Sequence, residues 1–321
     1  MNAKDLRIVF MGTPEFAVPS LRALVEGGYN VVAVVTAPDK PAGRGQKMHR
    51  SEVKIAAEEL GLPVLQPEKL RDPAFVEALR ELRPDLGIVI AFRMLPEIVW
   101  AMPRFGTFNL HASLLPQYRG AAPINWALIN GETRTGVTTF LLNHEIDKGA
   151  ILEQAEVAIE PEDNVGTLYE KLMLRGTSLV TGTVERIAAG DIRGIEQQQV
   201  DEATLRPAPK IFKEDCRIDW SLPGVRIVNF IRGLSPSPAA WSTLRKAGGE
   251  PLATKIFSAT FESAAHDVPC GTIAGDGRTC IRVACADGWI SLGELQIAGK
   301  KRLPVRELLL GLRDIGQCVF E

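Results

Sequence analysis

Paired cysteines, a long apolar run, a bias of charge and a dinucleotide fingerprint are all missing from this chain. Its five cysteines, Cys216, Cys270, Cys280, Cys285 and Cys318, are odd in number, lie in the distal third and form no C-x-x-C pair. That pattern argues against a zinc site and against a disulfide framework. No stretch approaches the ~20 apolar residues of a membrane span. The opening, MNAKDLRIVFMGTPEF, has no long apolar core leading to a small-residue cleavage site. A reduced, cytoplasmic protein is expected. Net charge is only -2, so no global basic field announces a nucleic acid. The first turn reads Gly12-Thr13-Pro14-Glu15-Phe16 where a dinucleotide site would have G-x-G-x-x-G. One glycine followed by a proline and an acid suits a pyrophosphate poorly, which disfavours an NAD-dependent oxidoreductase.

What is present is enough chain for two domains, 321 residues of ordinary globular composition. Residues 6–11 form a β-branched run ending at Gly12, and residues 16–26 follow with helical spacing of apolar positions. The pattern continues with a strand at 31–36, a helix at 51–60, a short strand at 64, a helix at 74–82 and an apolar strand at 86–92. This alternation predicts a Rossmann-like α/β fold, a mostly parallel sheet with helices on both faces. Strands at 107–110, 136–143 and 156–159 and helices at 124–129 and 167–188 complete the expected region. Residues 201–212 are polar with two prolines and read as a linker. The boundary is placed near Pro207, giving domains 1–206 and 207–321. Beyond it a helix at 227–234 precedes short strands at 241–244, 253–259, 270–274, 279–284 and 289–292. Short strands with glycine-rich turns predict a small C-terminal β-barrel, OB-like in type.

Charge is distributed unevenly. Residues 1–206 carry 22 basic against 27 acidic side chains, and residues 207–321 carry 15 against 12. A solvated surface explains that as readily as a polyanionic partner. Within residues 37–50, APDKPAGRGQKMHR, and counting Lys54 just beyond them, five basic residues are interleaved with prolines and glycines and almost nothing to bury. This is either a solvated loop or a flexible basic finger that orders on phosphates. The distal Lys300-Lys301-Arg302 is likewise either a surface feature or part of a nucleic-acid platform.

The stretch 108–126, FNLHASLLPQYRGAAPINW, concentrates polar groups where a buried strand ends. Asn109 and His111 are two apart, so an extended segment puts both on one face. Asn offers a neutral donor to an oxygen gaining charge, and His exchanges a proton near neutral pH. Those are the needs of a tetrahedral intermediate. Asn109 as a turn cap and His111 as a hydrogen-bonded core residue are the structural alternatives. For Asp147, in the turn Asp147-Lys148-Gly149, the alternatives are a simple turn and a carboxylate that orients His111.

The run NLHASLLPQYRGAAPINWALINGE, followed by TGVTTFLLNHEIDKGAIL, resembles the catalytic signature of the folate-dependent formyltransferases. IVFMGTPEFA, TAPDKPAGRGQK, PAPKIFKEDCRIDW and IRGLSPSPAAW match one branch of that family in order and spacing over nearly the whole chain. The resemblance implies transfer of a formyl group from 10-formyltetrahydrofolate, as co-substrate, to the α-amino group of methionyl-initiator tRNA. No metal is implied, and a monomer is expected. It implies that Asn109 and His111 hold the oxyanion and that His111 with Asp147 manages the proton transfers. Ser113, Leu114, Leu115 and Pro116 are implied to line the folate site. Arg44 is the implied tRNA contact, with Lys40 and Lys47 in support, and the barrel is implied to bind tRNA. Departures from the pattern are Phe92-Arg93 for a usual Tyr-Gly, Ala112 for Gly and Lys148 for Thr; Arg93 is expected to add bulk beside the folate pocket. A formyltransferase acting on a sugar nucleotide or purine precursor, and a non-catalytic RNA-binding protein, are the rival readings.

Overall fold

A computed structural model describes residues 1–42, 47–197, 202–246, 249–312 and 315–321. The chain divides into two compact units. One comprises Met1–Gly120, Arg134–Ala158 and Tyr169–Pro207; the other comprises Ala121–Thr133, Ile159–Leu168 and Ala208–Glu321.

In chain order the elements are β1 (Ile8–Gly12), α1 (Val18–Glu26), β2 (Val31–Val35), β3 (Lys40–Ala42), β4 (Lys47–His49), α2 (Glu52–Glu59), β5 (Val64–Leu65), α3 (Pro73–Glu81), β6 (Leu86–Ile90), α4 (Glu97–Trp100), β7 (Thr107–His111), α5 (Pro123–Ile129), β8 (Arg134–Leu141), β9 (Ile151–Ala158) and α6 (Val165–Ala188). The first unit is built on a sheet of order β5-β2-β1-β6-β7-β8-β9. The strands from β5 to β7 run parallel, while β8 and β9 add antiparallel. β1 and β6 are buried at every residue, the mark of strands covered on both faces. Val9, Met11, Val35 and Val89 pack with Phe75, Val76 and Leu79 of α3 on one face.

The opposite face is closed by α6. Gly176 of that helix lies so near Leu110 that an added Cβ would stand 2.6 Å from its Cδ2, so the absent side chain lets the helix sit directly on β7. The register places Asn109 beside Val89, and Val89 beside Met11. Leu110 therefore faces α6, and Asn109 and His111 face the α3 side by the two-residue repeat of a strand. Helix starts follow local chemistry. Ser51 accepts from Lys54 N at 3.0 Å, and Asp72 accepts from Ala74 N at 2.9 Å with Pro73 as the first helical residue.

The second unit continues with α7 (Gly224–Leu234), β10 (Ala240–Lys246), β11 (Leu252–Ser263), β12 (Ile273–Ala274), β13 (Arg282–Cys285), β14 (Gly288–Ile297), β15 (Leu303–Pro304), α8 (Val305–Gly311) and β16 (Cys318–Phe320). Its sheet has the order β12-β13-β14-β11-β10-β16, with β15 on β14. A bridge between Thr272 and Val319 brings the two ends of that order together, so the antiparallel sheet nearly closes into a barrel. Trp220, Ile227, Ile231, Ile256, Ile290 and Phe320 lie in its core. The barrel expected from sequence is therefore present, with longer β11 and β14 than the strands read there. At 270–274 only Ile273–Ala274 is strand. In the first unit, Lys40–Ala42 and Lys47–His49 form the antiparallel pair β3–β4, with Lys40 opposite His49. No helix among the described residues is long and apolar enough to cross a membrane.

Candidate active site

The site is built outward from the C-terminal half of β7. Asn109 is half-buried between the buried Phe108 and Leu110, and His111 is 6% exposed. His111 Nε2 lies 2.8 Å from the carbonyl oxygen of Tyr118. A carbonyl can only accept, so Nε2 carries the hydrogen in either charge state of the ring. Nδ1 is then the atom that gains or loses a proton. Among the described residues it has no protein partner, and it is not one of the buried atoms sealed without one.

The loop that supplies the Tyr118 carbonyl is pinned at its start by the Thr138 hydroxyl. β7 pairs with β8 so that His111 stands opposite Thr138. Thr138 Oγ1 donates to Ser113 O at 2.7 Å and accepts from Leu115 N at 3.2 Å and from Gln154 Nε2 at 3.0 Å. Gln154 also donates to Leu115 O at 2.9 Å. Ser113 is fully buried, and its hydroxyl donates to Gln117 O at 2.7 Å. Leu115 is 3% exposed, while Leu114 and Pro116 are half-buried. Of the residues expected against folate, then, Leu114 and Pro116 keep some exposed surface, and Ser113 and Leu115 are buried. Tyr118 sits at φ 59°, a left-handed conformation uncommon outside glycine. Its N–H donates to Arg206 O at 2.7 Å, and Gln117 accepts from Arg206 N at 2.8 Å.

Asp147 also has left-handed backbone, φ 54°. Its Oδ2 accepts from Gly120 N at 3.0 Å. The turn bearing it leaves β8 at Leu141, opposite Phe108, whereas the loop leaves β7 after His111. The Gly120 bond therefore shows the loop doubling back along the strand toward the turn. Among the described residues no hydrogen bond joins Asp147 to His111; the group that orients the imidazole is the Tyr118 carbonyl. The neighbouring acid and base are engaged elsewhere. Glu145 meets Lys148 at 2.9 Å, which holds its carboxyl below the usual range, and His144 Nε2 lies 3.5 Å from Glu97.

Gln197 was not singled out by sequence reasoning, because nothing distinguishes it within Gln197-Gln198-Gln199. It donates from Nε2 to Asp147 O at 2.8 Å and Gly149 O at 2.9 Å, and its Oε1 accepts from Arg119 Nε at 3.1 Å. Only long-range contact could reveal it.

The basic segment is partly described. Lys40 is exposed in β3; Arg44 lies outside the described residues, as does the side chain of Lys47. Lys54, counted in sequence with the basic finger, donates to Asp39 at 2.6 Å. Gln66 donates to the same carboxylate and to Ala37 O, each at 2.8 Å. These bonds, first that from Lys54 and then that from Gln66, hold the Asp39 carboxyl below the usual range. Arg93 reaches Glu68 O at 2.7 Å and Pro67 O, so its bulk is tied to the backbone at 67–68. In the second unit Arg302 pairs with Glu294 and stacks on Phe257 at 4.0 Å. Among the described residues no group of three or more His, Cys, Asp or Glu could hold a metal ion.

Comparison with known proteins adds identity to this geometry. The family model described as formyl transferase matches residues 6–183, and that of the formyl transferase C-terminal domain matches residues 210–313. A methionyl-tRNA formyltransferase of Bacteroides thetaiotaomicron is 59% identical over 314 residues, covering 98% of both chains. One from Parabacteroides distasonis is 58% identical over 320 residues, covering 99% of both. Among solved structures, HypX from Aquifex aeolicus in complex with tetrahydrofolic acid aligns with a TM-score of 0.62 at 21% identity. That match covers 95% of this chain and 47% of HypX, and it speaks to the fold alone.

Proposed function

This chain belongs to the formyl transferase family, and from that premise we infer that it transfers a formyl group from 10-formyltetrahydrofolate to the α-amino group of methionyl-initiator tRNA. The product is N-formylmethionyl-tRNA, so the chemistry is acyl transfer between two nitrogens. The neutral amine attacks the formyl carbon, the carbonyl oxygen takes up charge, and the bond from carbon to the folate N10 breaks. The amine gives up one proton and the leaving N10 takes one, so the balance needs a group that does both.

Asn109 and His111 hold the developing oxyanion in this reading, Asn109 through its amide N–H and His111 through Nδ1 when protonated. One observation carries it. His111 is locked by the Tyr118 carbonyl at 2.8 Å with Nδ1 left open, one pleat from the half-buried Asn109. Asp147 serves the proton transfers together with His111. Its distance from the ring in the free chain does not argue against this, because catalytic hydrogen bonds tighten when substrate binds. Leu114 and Pro116 offer side-chain surface to the folate, on a loop shaped by Ser113 and Leu115. Lys40, Arg44 and Lys47 contact tRNA phosphates. We assign catalysis to residues 1–206 and tRNA binding to the barrel at 207–321, and we take the chain to act in the cytoplasm as a monomer.

The test is single-turnover transfer of radiolabelled formyl from 10-formyltetrahydrofolate, with methionyl-initiator tRNA, free methionine and uncharged tRNA as acceptors. Label on the charged tRNA alone is the expected result. Label on none of them, with folate bound, moves the acceptor elsewhere.

A further inference from the structure

We propose that Gln197 is a positioning residue for Asp147, holding the turn and the catalytic loop in one closed hydrogen-bonded ring. This rests on the reading that Asp147 serves the transfer. The ring starts at Asp147, whose Oδ2 accepts from Gly120 N at 3.0 Å. Gly120 follows Arg119 in the chain, and Arg119 Nε donates to Gln197 Oε1 at 3.1 Å. Gln197 Nε2 returns to Asp147 O at 2.8 Å. Its second hydrogen goes to Gly149 O at 2.9 Å, so the amide spans both sides of Lys148.

Every polar atom of the Gln197 side chain is thereby spent on the loop or the turn, and each end is of the correct sign. Carbonyl oxygens can be met only by the NH₂, and a guanidinium only by the oxygen. The anchor for this amide is firm. Ile195 exchanges two backbone hydrogen bonds with Ile151, both 2.8 Å. Gly194 lies so close to Ala150 that an added Cβ would be 2.6 Å from its Cβ. Residues 194–197 thus run fixed beside 149–151, and the amide projects from a rigid base.

What the ring holds is a conformation the backbone would not choose. Asp147 at φ 54° is left-handed, a region that a non-glycine residue keeps only where its surroundings impose it. Its peptide carbonyl is fixed by Gln197 and its carboxylate by Gly120, so side chain and backbone are set independently. Release of the carbonyl lets the turn relax and carries the carboxylate away from its position. Gln197 acts through Asp147, at a distance from the reacting atoms.

The experiment measures single-turnover rate and KM for charged initiator tRNA in wild type, Gln197→Ala, Gln197→Glu, Asp147→Asn and the double variant Gln197→Ala/Asp147→Asn. Misplacing a catalytic group by an ångström costs about 100-fold, so Gln197→Ala is expected to lose about 10- to 100-fold in rate with little change in KM. Gln197→Glu keeps the volume and the contact to Arg119 but cannot donate to the two carbonyls. It falls with Gln197→Ala, and it carries the test alone should the alanine variant not fold. In the Asp147→Asn background, Gln197→Ala costs nothing further, as non-additivity of coupled groups requires. An equal loss in both backgrounds, a wild-type rate in Gln197→Ala, or full activity in Gln197→Glu overturns the assignment while the transferase reading stands. A wild type that transfers no formyl removes both.

Discussion

Replacing Thr138 by Val tests how much of the site depends on one hydroxyl. The two side chains are nearly isosteric, so what changes is hydrogen bonding. Thr138 is 0% exposed, and its hydroxyl serves Ser113 O, Leu115 N and Gln154 Nε2. Gln154 keeps Leu115 O at 2.9 Å after the change, but the Ser113 carbonyl and the Leu115 N–H lose the partner recorded for each. A buried polar group left without a partner costs about 1–3 kcal/mol, so two give about 2–6 kcal/mol. The added methyl returns about 0.8 kcal/mol through burial. Thr138→Val should therefore destabilise the first unit by about 1–5 kcal/mol, read as a lowered midpoint in urea followed by circular dichroism. The same variant should slow formyl transfer, because the loop it loosens carries the Tyr118 carbonyl that orients His111. A loss below about 0.5 kcal/mol, within the ordinary range for surface changes, would refute the claim that this hydroxyl holds the loop.

Asn109→Ala should lower kcat by about 100- to 1,000-fold, the usual cost of one oxyanion donor, while KM for tRNA stays nearly constant; comparable losses in binding and rate would argue for a tRNA contact instead. Burial pushes the thiols of Cys216 and Cys285 up, and Cys318 is buried whereas Cys270 is exposed. A thiol reagent at neutral pH should therefore modify Cys270 in the native protein and spare Cys216, Cys285 and Cys318 until denaturant is added. Rapid native modification of the buried three would contradict their packing. The Asp39 carboxyl, held low first by Lys54 and then by Gln66, contributes stability that is fully present above the ordinary carboxylate value of about 3.9. That contribution fades as pH falls through the lower folded value. Wild type and Asp39→Asn should thus differ in urea midpoint and in tryptic cleavage within 40–49 at pH 7, and the difference in midpoint should vanish in acid. Identical midpoints at pH 7 would remove the clamp from the account.

The paired donors on β7 were legible because a strand repeats every two residues: Asn109 and His111 share a face whatever the rest of the fold does. The alternation of apolar strands with helices likewise announced a parallel sheet. The partners of that strand were not legible. Thr138 reaches the loop through a register between β7 and β8 that no local pattern encodes, and Gln197 meets Asp147 across fifty residues of chain. Composition also left the engagement of two basic positions open. Lys54 reads in sequence as one more charge of the basic loop and is engaged with Asp39, and Arg93 reads as bulk beside the folate pocket and has its guanidinium on the backbone at 67–68. Charge alone does not say whether a side chain is free or committed. Short elements were lost for a different reason: β16, only Cys318–Phe320, has too few residues to show a period, although it is the strand that brings the barrel's ends together.

The most direct test of the central claim is a competition for acceptor. Wild-type protein with labelled 10-formyltetrahydrofolate is offered methionyl-initiator tRNA together with a nucleotide-linked amino sugar and glycinamide ribonucleotide, and kcat/KM is measured for each. The account predicts that label goes to the methionyl α-amine, with the other two amines left unformylated at equal concentration. Preferential formylation of the amino sugar or the ribonucleotide would keep the chain within its family and contradict the acceptor assigned to it.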